Sequence, residues 1–334
     1  MRATDVLGRH RRGRRALCAA FVAAIGLGVP AAFAQSWPTK PVTVVVGVPP
    51  GGALDPFARA LADQLARVTG GTFVVDNKPG ANGNLSAQAV LAAPPDGHTL
   101  WIGTQSMMAI NPAAFDNLRW KPSDFTPILK GVEAPLVLVT NHQVPARNFE
   151  ELVKWIQDPA NKASYASFSP GTPSHFLGYQ LNERLKASMV HVPYKGSAPQ
   201  VTDLVSGQVP LGFTQLASAV PQIKDGKLRA IAVTGPKRYR FLPDVPTLAE
   251  LGYGDLGTTI WFGLFAPAGT PPATLDAIRS AAQKAHQDPT YRKRLEALEF
   301  DVPDVTLAEF EKTIGAGTAR WAQLVKATNF KANQ

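Results

Sequence analysis

Val42-Thr43-Val44-Val45-Val46-Gly47-Val48-Pro49-Pro50-Gly51-Gly52-Ala53-Leu54-Asp55-Pro56 is the stretch on which the fold turns. So dense a β-branched run predicts a strand buried on both faces. The Pro-Pro-Gly-Gly turn ends it. Asp55 then reads as a helix N-cap with Pro56 at the first helical position, and Phe57, Leu61, Leu65 and Val68 fall on one helical face. Gly70 is a helix stop. Thr72 to Val75 predicts the next strand, a polar loop Gly80 to Asn84 leads into a short helix from Leu85 to Ala93, and His98 to Thr104 predicts a third strand. A β-α-β-α-β order implies a parallel sheet with right-handed crossovers.

The middle of the chain repeats the theme. Leu136 to Thr140, Tyr165 to Ser167, Val190 to Val192, Val209 to Phe213 and Leu228 to Val233 predict strands. Helical patterns fall between them: Asn148 to Ile156 with a capping pair Asn148/Glu151, one opening at Thr172-Pro173, Ala198 to Ser206, and Ala219 to Asp225. After a long loop, Gly235 to Gly257, Trp261 to Ala266 predicts one more strand, and three helices follow, the last opened by the capping box Thr306/Glu309. The last helix carries Leu307, Phe310, Ile314, Trp321 and Val325 on one face and must dock on something. We therefore expect two α/β domains with a ligand cleft between them. The first is discontinuous, 35–133 plus 259–334, and the second is 134–258.

Composition excludes several classes. Of 334 residues 45% are apolar, which rules out a disordered chain. The 28 glycines and 29 prolines exceed the roughly 12% of an average chain and favour short elements joined by tight turns. One cysteine permits neither an internal disulfide nor a cysteine-based zinc site. The N-terminus has a basic run (Arg9, Arg11, Arg12, Arg14, Arg15), an apolar stretch from Ala16 to Val29, and small residues at Ala32 and Ala34. This is the three-part pattern of a secretory signal peptide over residues 1–34, cut after Ala34. The apolar run falls short of the roughly 20 residues of a membrane span. Arg14-Arg15 also admits a twin-arginine signal. Removing the segment takes away six arginines, one aspartate and Cys18, and lowers the net charge from +9 to +4. The basic balance then implies no nucleic-acid partner. A periplasmic, monomeric protein is the expectation.

Every notable loop follows a predicted strand: Pro49 to Asp55, Gly80 to Ser86, Gln105 to Met107, Ser167 to Ser174, Tyr194 to Ala198, and Thr214-Gln215. Open α/β sheets bind ligands at these ends. Gly-rich loops that open helices present unpaired N–H groups and the positive end of the helix dipole, a site for an anion such as a carboxylate. Taken singly, each loop also reads as a tight turn with capping residues. Catalytic and cofactor patterns are missing: no dinucleotide or phosphate-loop fingerprint, no G-x-S-x-G elbow, no H-E-x-x-H. His98, His142, His175, His191 and His286 are scattered. His175 opens a helix and reads either as a ligand contact or as a packed side chain, and Lys195 either as a carboxylate partner or as a solvated loop lysine. Asp76 to Asn84 has a superficial calcium-loop spacing that Lys78 breaks. No cofactor or metal is expected.

An ordered set of short motifs spans the chain beyond the leader: Trp37-Pro38-x-Lys40-Pro41, Pro50-Gly51-Gly52-x-x-Asp55, Asn77-Lys78-Pro79-Gly80-Ala81, Pro95-Asp96-Gly97-His98-Thr99-Leu100, Val192-Pro193-Tyr194-Lys195-Gly196, Gly226-Lys227-Leu228-Arg229-Ala230 and Ala266-Pro267-Ala268-Gly269-Thr270-Pro271. Together they resemble the Bug, or TctC-like, family of extracytoplasmic receptors of tripartite tricarboxylate transporters. The resemblance implies a periplasmic-binding-protein fold that closes on a small carboxylate and delivers it to membrane permease subunits. It implies first-domain contacts from Pro50, Gly51, Gly52, Asp55, Ala81, Asn82, Gly83, Asn84, Ser86 and Ser106. Second-domain contacts would come from Ser169, Gly171, Thr172, His175, Tyr194, Gly196, Ser197, Thr214 and Gln215. Two departures bear on the ligand. The second loop of the family usually reads Gly-Ala-Gly-Gly, against Gly80-Ala81-Asn82-Gly83-Asn84 here. Amino-acid-binding relatives place an acidic residue near Thr214 or Gln215, and none stands there. Met107, Met108 and Phe168 read as an apolar end of the pocket or as core, which points to an aromatic or aliphatic carboxylate. A ligand sensor reporting to a membrane signalling partner and an exported hydrolase on the same fold are the alternatives, and the missing nucleophile–base pattern speaks against the second.

Overall fold

The computed structural model describes residues 37–332. The leader expected over 1–34 lies outside them. Strand β1 (Val42–Val46) is central, with parallel partners β2 (Phe73–Asn77) on one side and β3 (Thr99–Thr104) on the other. Val42, Val44 and Val46 are fully buried, as a two-sided strand requires. Helices α1 (Leu54–Thr69) and α2 (Asn84–Leu91) make the crossovers. Phe57, Ala58, Leu61 and Leu65 of α1 are fully buried, and Gly70 ends it at φ 72°. One detail corrects the sequence expectation. Ala53, not Asp55, is the N-cap, so Asp55 stands inside the first turn and caps nothing. After β3 a π-helical turn, Ser106–Ile110, runs into the short helix α3 (Asn111–Ala114). Neither was expected.

Strand β4 (Phe125–Asn141) is 17 residues long and ties the molecule together. It is followed by α4 (Phe149–Gln157), β5 (Ser164–Ser167), α5 (Pro173–Leu185), β6 (Val190–Pro193), α6 (Ser197–Ser206), β7 (Leu211–Gln215), α7 (Leu216–Lys224) and β8 (Leu228–Val233). The chain closes with β9 (Thr259–Pro267), α8 (Pro272–Gln287), α9 (Pro289–Ala297) and α10 (Leu307–Ala327). Up to Pro135, β4 pairs antiparallel with β9, which pairs antiparallel with β3. From Leu136 onward β4 pairs antiparallel with β7 and β8 instead. Strand β5 is parallel to β6 and β7. The strand order is β2-β1-β3-β9-β4-β7-β5-β6, with β8 on β4. The result is an α/β fold of two sheets that share one strand. The expected domain boundary at residues 133 and 134 falls inside that strand.

Where β4 changes partners, Thr234 joins three segments. Its buried hydroxyl donates to the Thr258 carbonyl at 2.6 Å and accepts from the Leu136 N–H at 2.8 Å. Its own N–H donates to the Leu136 carbonyl, and its carbonyl accepts from the Thr258 N–H. Thr234→Val keeps the shape and leaves a donor and an acceptor unpaired in the interior. We expect it to cost about 1–3 kcal/mol in denaturant unfolding. A loss below a few tenths would show that the junction does not depend on this hydroxyl.

The capping box of α10 forms as expected, with Thr306 and Glu309 bonded reciprocally. Trp321 is fully buried against Phe176 of α5, and Phe330 beyond the helix packs on His175 and Phe176. No helix among the described residues is long and apolar enough to cross a membrane.

Candidate functional site

A cleft of about 770 Å³ opens at the carboxyl ends of β1, β2, β3, β5, β6 and β7, with Ile260, Trp261 and Phe262 of β9 at its wall. Of the residues expected to touch a ligand, Pro50, Gly52, Ala81, Asn82, Gly83 and Ser106 line it on one side. Ser169, Thr172, Tyr194, Gly196, Ser197 and Gln215 line it on the other. Asp55, Asn84, Ser86, Gly171, His175 and Thr214 are buried behind the lining, and Gly51 is exposed and outside it.

The helices that begin at the cleft share one property. The N-cap residues of α1, α2, α5, α6 and α7 are Ala53, Gly83, Thr172, Gly196 and Gln215, and all five line it. None makes a side-chain capping bond. Of the other helices, α4, α9 and α10 are capped by Asn148, Asp288 and Thr306, while α3 and α8 also start without a side-chain cap. An α-helix leaves its first N–H groups without intrahelical partners. Five starts without a side-chain cap bring positive dipole ends to one space, which suits an anion. At two of them one N–H is already bonded within the loop, that of Asp55 to the Gly52 carbonyl and that of Asn84 to the Ala81 carbonyl. Among the described residues, Lys195 is the one charged residue type in the lining, which holds no Asp or Glu. Met107, Phe168, Ile260 and Phe262 give it apolar walls. Met108 turns away into the core, 2% exposed.

The residues behind the lining hold its loops. Asp55, 5% exposed, accepts two bonds from Arg59 and one from Asn77 Nδ2, while Asn77 Nδ2 also donates to the Val48 carbonyl. The Gly51 N–H points at the same carboxylate. Burial alone would raise the Asp55 pKa. The bonds from Arg59, Asn77 and Gly51 outweigh burial and hold it below the usual aspartate value. Asp55 thus fixes the Pro50-Gly51-Gly52 turn rather than reaching into the cleft. A carboxylate with a depressed folded-state pKa adds stability above its unfolded pKa, about 4, and loses that contribution as acid protonates the folded form. Asp55→Asn should cost about 1–3 kcal/mol at pH 7. The gap to wild type should begin to narrow as pH falls below the unfolded pKa and close only below the depressed folded-state pKa. A gap that stays constant with pH would remove the charge from this account.

Ser86 is fully buried, and its hydroxyl donates to the Gly83 carbonyl at 2.6 Å while accepting from Trp101 Nε1 at 2.8 Å. Gly83 itself has φ 88°, and a Cβ there would fall 2.0 Å from Met107 Cε, so only glycine fits. On the opposite side, Thr172 Oγ1 donates to the Ser169 carbonyl at 2.6 Å, and the Gly196 N–H to the Phe168 carbonyl at 2.7 Å. His175 accepts from the Gly171 N–H at 3.2 Å and stacks on His191 with centroids 4.0 Å apart. Burial, with the neighbouring His191 adding to it, pushes the His175 pKa down to about 3; burial takes His191 to about 4. Both stay neutral near pH 7 and act as loop supports. Thr214, fully buried, belongs to the β4–β7 ladder.

A family described as Tripartite tricarboxylate transporter family receptor matches residues 57–330. Three solved structures are similar over their whole length. The periplasmic binding protein BugD is 33% identical, with 88% of this chain and 99% of that one covered at a TM-score of 0.81. MatC from Rhodopseudomonas palustris with bound malate is 31% identical, covering 86% of this chain and 100% of its own at 0.79. The R. palustris protein Rpa4515 with adipate is 29% identical, covering 88% and 99% at 0.82.

Proposed function

Because the chain belongs to the tripartite tricarboxylate transporter receptor family, we propose that it is an exported receptor that captures a small carboxylate in the cleft and hands it to permease subunits. Five uncapped helix starts converging on a space without acidic side chains carry this reading. The ligand carboxylate takes the free N–H groups, and Lys195 adds the one positive side chain. The apolar walls favour an aliphatic or aromatic body. That MatC is seen with malate and Rpa4515 with adipate supports a small organic acid. In this reading residues 1–34 serve as the export signal and are removed on the way to the periplasm, and the mature receptor works as a monomer. The domains 35–133 with 259–334 and 134–258 close on the ligand about the partner change in β4 and open to release it unchanged.

The test is a thermal-shift screen on protein unfolded and refolded to strip bound ligand. The panel holds mono-, di- and tricarboxylates, aromatic acids, amino acids and uncharged amides of the same acids. Ligand at 1,000 times its dissociation constant stabilises by about 4 kcal/mol, a shift of several degrees for a chain of this size. A shift confined to acids supports the proposal. Equal shifts with acids and amides, or a flat panel, would overturn it.

A further inference from the structure

The loop from Gly80 to Gly83 lines the cleft in an unusual conformation. Its four residues all have positive φ: 129° at Gly80, 47° at Ala81, 53° at Asn82 and 88° at Gly83. Glycine enters this region freely, whereas a side chain on Ala81 and Asn82 makes it costly. Such strain persists only where surrounding structure over-determines it. The hold comes from outside the loop. Asn111, the first residue of α3, is fully buried, is not part of the cleft lining and lies 29 positions along the chain from Asn82. Its Oδ1 accepts from Asn82 Nδ2 at 2.8 Å. Its Nδ2 donates to the Asn82 carbonyl at 3.1 Å and to Asn84 Oδ1 at 2.7 Å. One amide therefore grips the side chain and the backbone of Asn82 together with the first residue of α2.

We propose that Asn111 is a positioning residue for ligand capture. It locks the loop in the shape that turns Ala81, Asn82 and Gly83 to the cleft before any ligand arrives. Ordering a loop at the moment of binding lowers affinity, and ordering it beforehand removes that cost. Part of the affinity thus comes from a side chain that never touches the ligand. A carbonyl and an amide on one chain segment match both halves of an asparagine amide, so the residue type follows from the partners. The inference rests on the reading of this loop as a ligand contact.

Three variants test it: Asn111→Ala, Asn82→Gly and the pair. Asn82→Gly removes one bond of the clamp while relieving the cost of positive φ, so it spares the fold. Two readouts are taken: amide exchange by mass spectrometry over residues 80–86 without ligand, and dissociation constants for adipate and malate. Asn111→Ala should speed exchange over 80–86 by about tenfold and weaken binding by about tenfold, with exchange in β1 and β3 unchanged. The two substitutions should be non-additive in both readouts, since they remove the same contact. Unchanged exchange over 80–86 would overturn the proposal, as would faster exchange spread evenly through β1 and β3 or strictly additive effects. If the wild type binds neither acid, the affinity readout uses the acid with the largest thermal shift; a flat acid panel overturns the receptor reading alone, and the exchange measurement still decides whether Asn111 holds the loop.

Discussion

Gly52→Asp is expected to abolish carboxylate capture while leaving the protein as stable as before or more so. Gly52 lines the cleft just ahead of α1, and a Cβ built on it meets nothing within 4 Å. The substitution therefore fits without a clash. The new carboxylate stands before an uncapped helix start and takes the place proposed for the ligand's own. A negative charge there stabilises the helix by about 0.3–1 kcal/mol. The arriving carboxylate meets a like charge instead of free N–H groups. At about 4 Å and an effective dielectric of 20 that repulsion is of order 4 kcal/mol, a weakening of about a hundredfold or more. Gly52→Ala is the control and should bind within a few-fold of wild type. Calorimetry on both variants, with melting temperatures, checks the pair. Equal loss in the alanine variant would mean that size rather than charge matters. Unchanged binding in the aspartate variant would mean the ligand does not use this helix start.

Trp101→Ala should remove about 3–5 kcal/mol of stability, read as a lower denaturant midpoint. The side chain is fully buried on β3. Its ring lies 4.3 Å from that of Phe125, 5.6 Å from Trp120 and 5.8 Å from Phe265, so truncation leaves a cavity among three aromatic rings that cannot all move. Total stabilities are about 5–15 kcal/mol, so the variant stands near the edge of folding. The indole also carries the core to the site. Its Nε1 donates to Ser86 Oγ, which donates to the Gly83 carbonyl. Trp101→Phe keeps most of the ring and loses that link. It should cost about 1–2 kcal/mol and leave Ser86 without its donor. A loss under 1 kcal/mol in Trp101→Ala would show the cluster is not a rigid part of the core.

The contrast between Val42–Val46 and Phe125–Asn141 explains what the sequence reveals. The first is a pure β-branched run, and its strand, its turn and the parallel sheet around it are readable from residue type alone. The second contains Pro127, Lys130, Gly131, Glu133 and Pro135, which break any strand pattern. It is nonetheless continuous, because register shifts against β9 between Pro127 and Leu129 and between Lys130 and Val132 absorb the irregular residues. Those shifts depend on a partner more than a hundred residues away. The same limit applies to the cleft. Its loops follow strands and are visible as Gly- and Pro-rich punctuation, so Pro50, Gly52, Ala81 to Gly83, Ser169, Gly196 and Gln215 are found from the sequence. Ile260 to Phe262 are missed, since their place depends on β9 returning between β3 and β4. The family resemblance implies Asp55 and Ser86 as ligand contacts, and the sequence also offers Asp55 as a helix cap. Only the structure shows their polar atoms already spent on Arg59, Asn77, Trp101 and Gly83.

The central claim is that helix N-termini recognise a carboxylate. It is met most directly by titration calorimetry of the refolded protein with the acid that gives the largest thermal shift, set beside the primary amide of the same acid. The amide keeps the shape and loses the charge. The account predicts saturable heat for the acid and binding at least about a hundredfold weaker for the amide. Equal affinity for the two would contradict it.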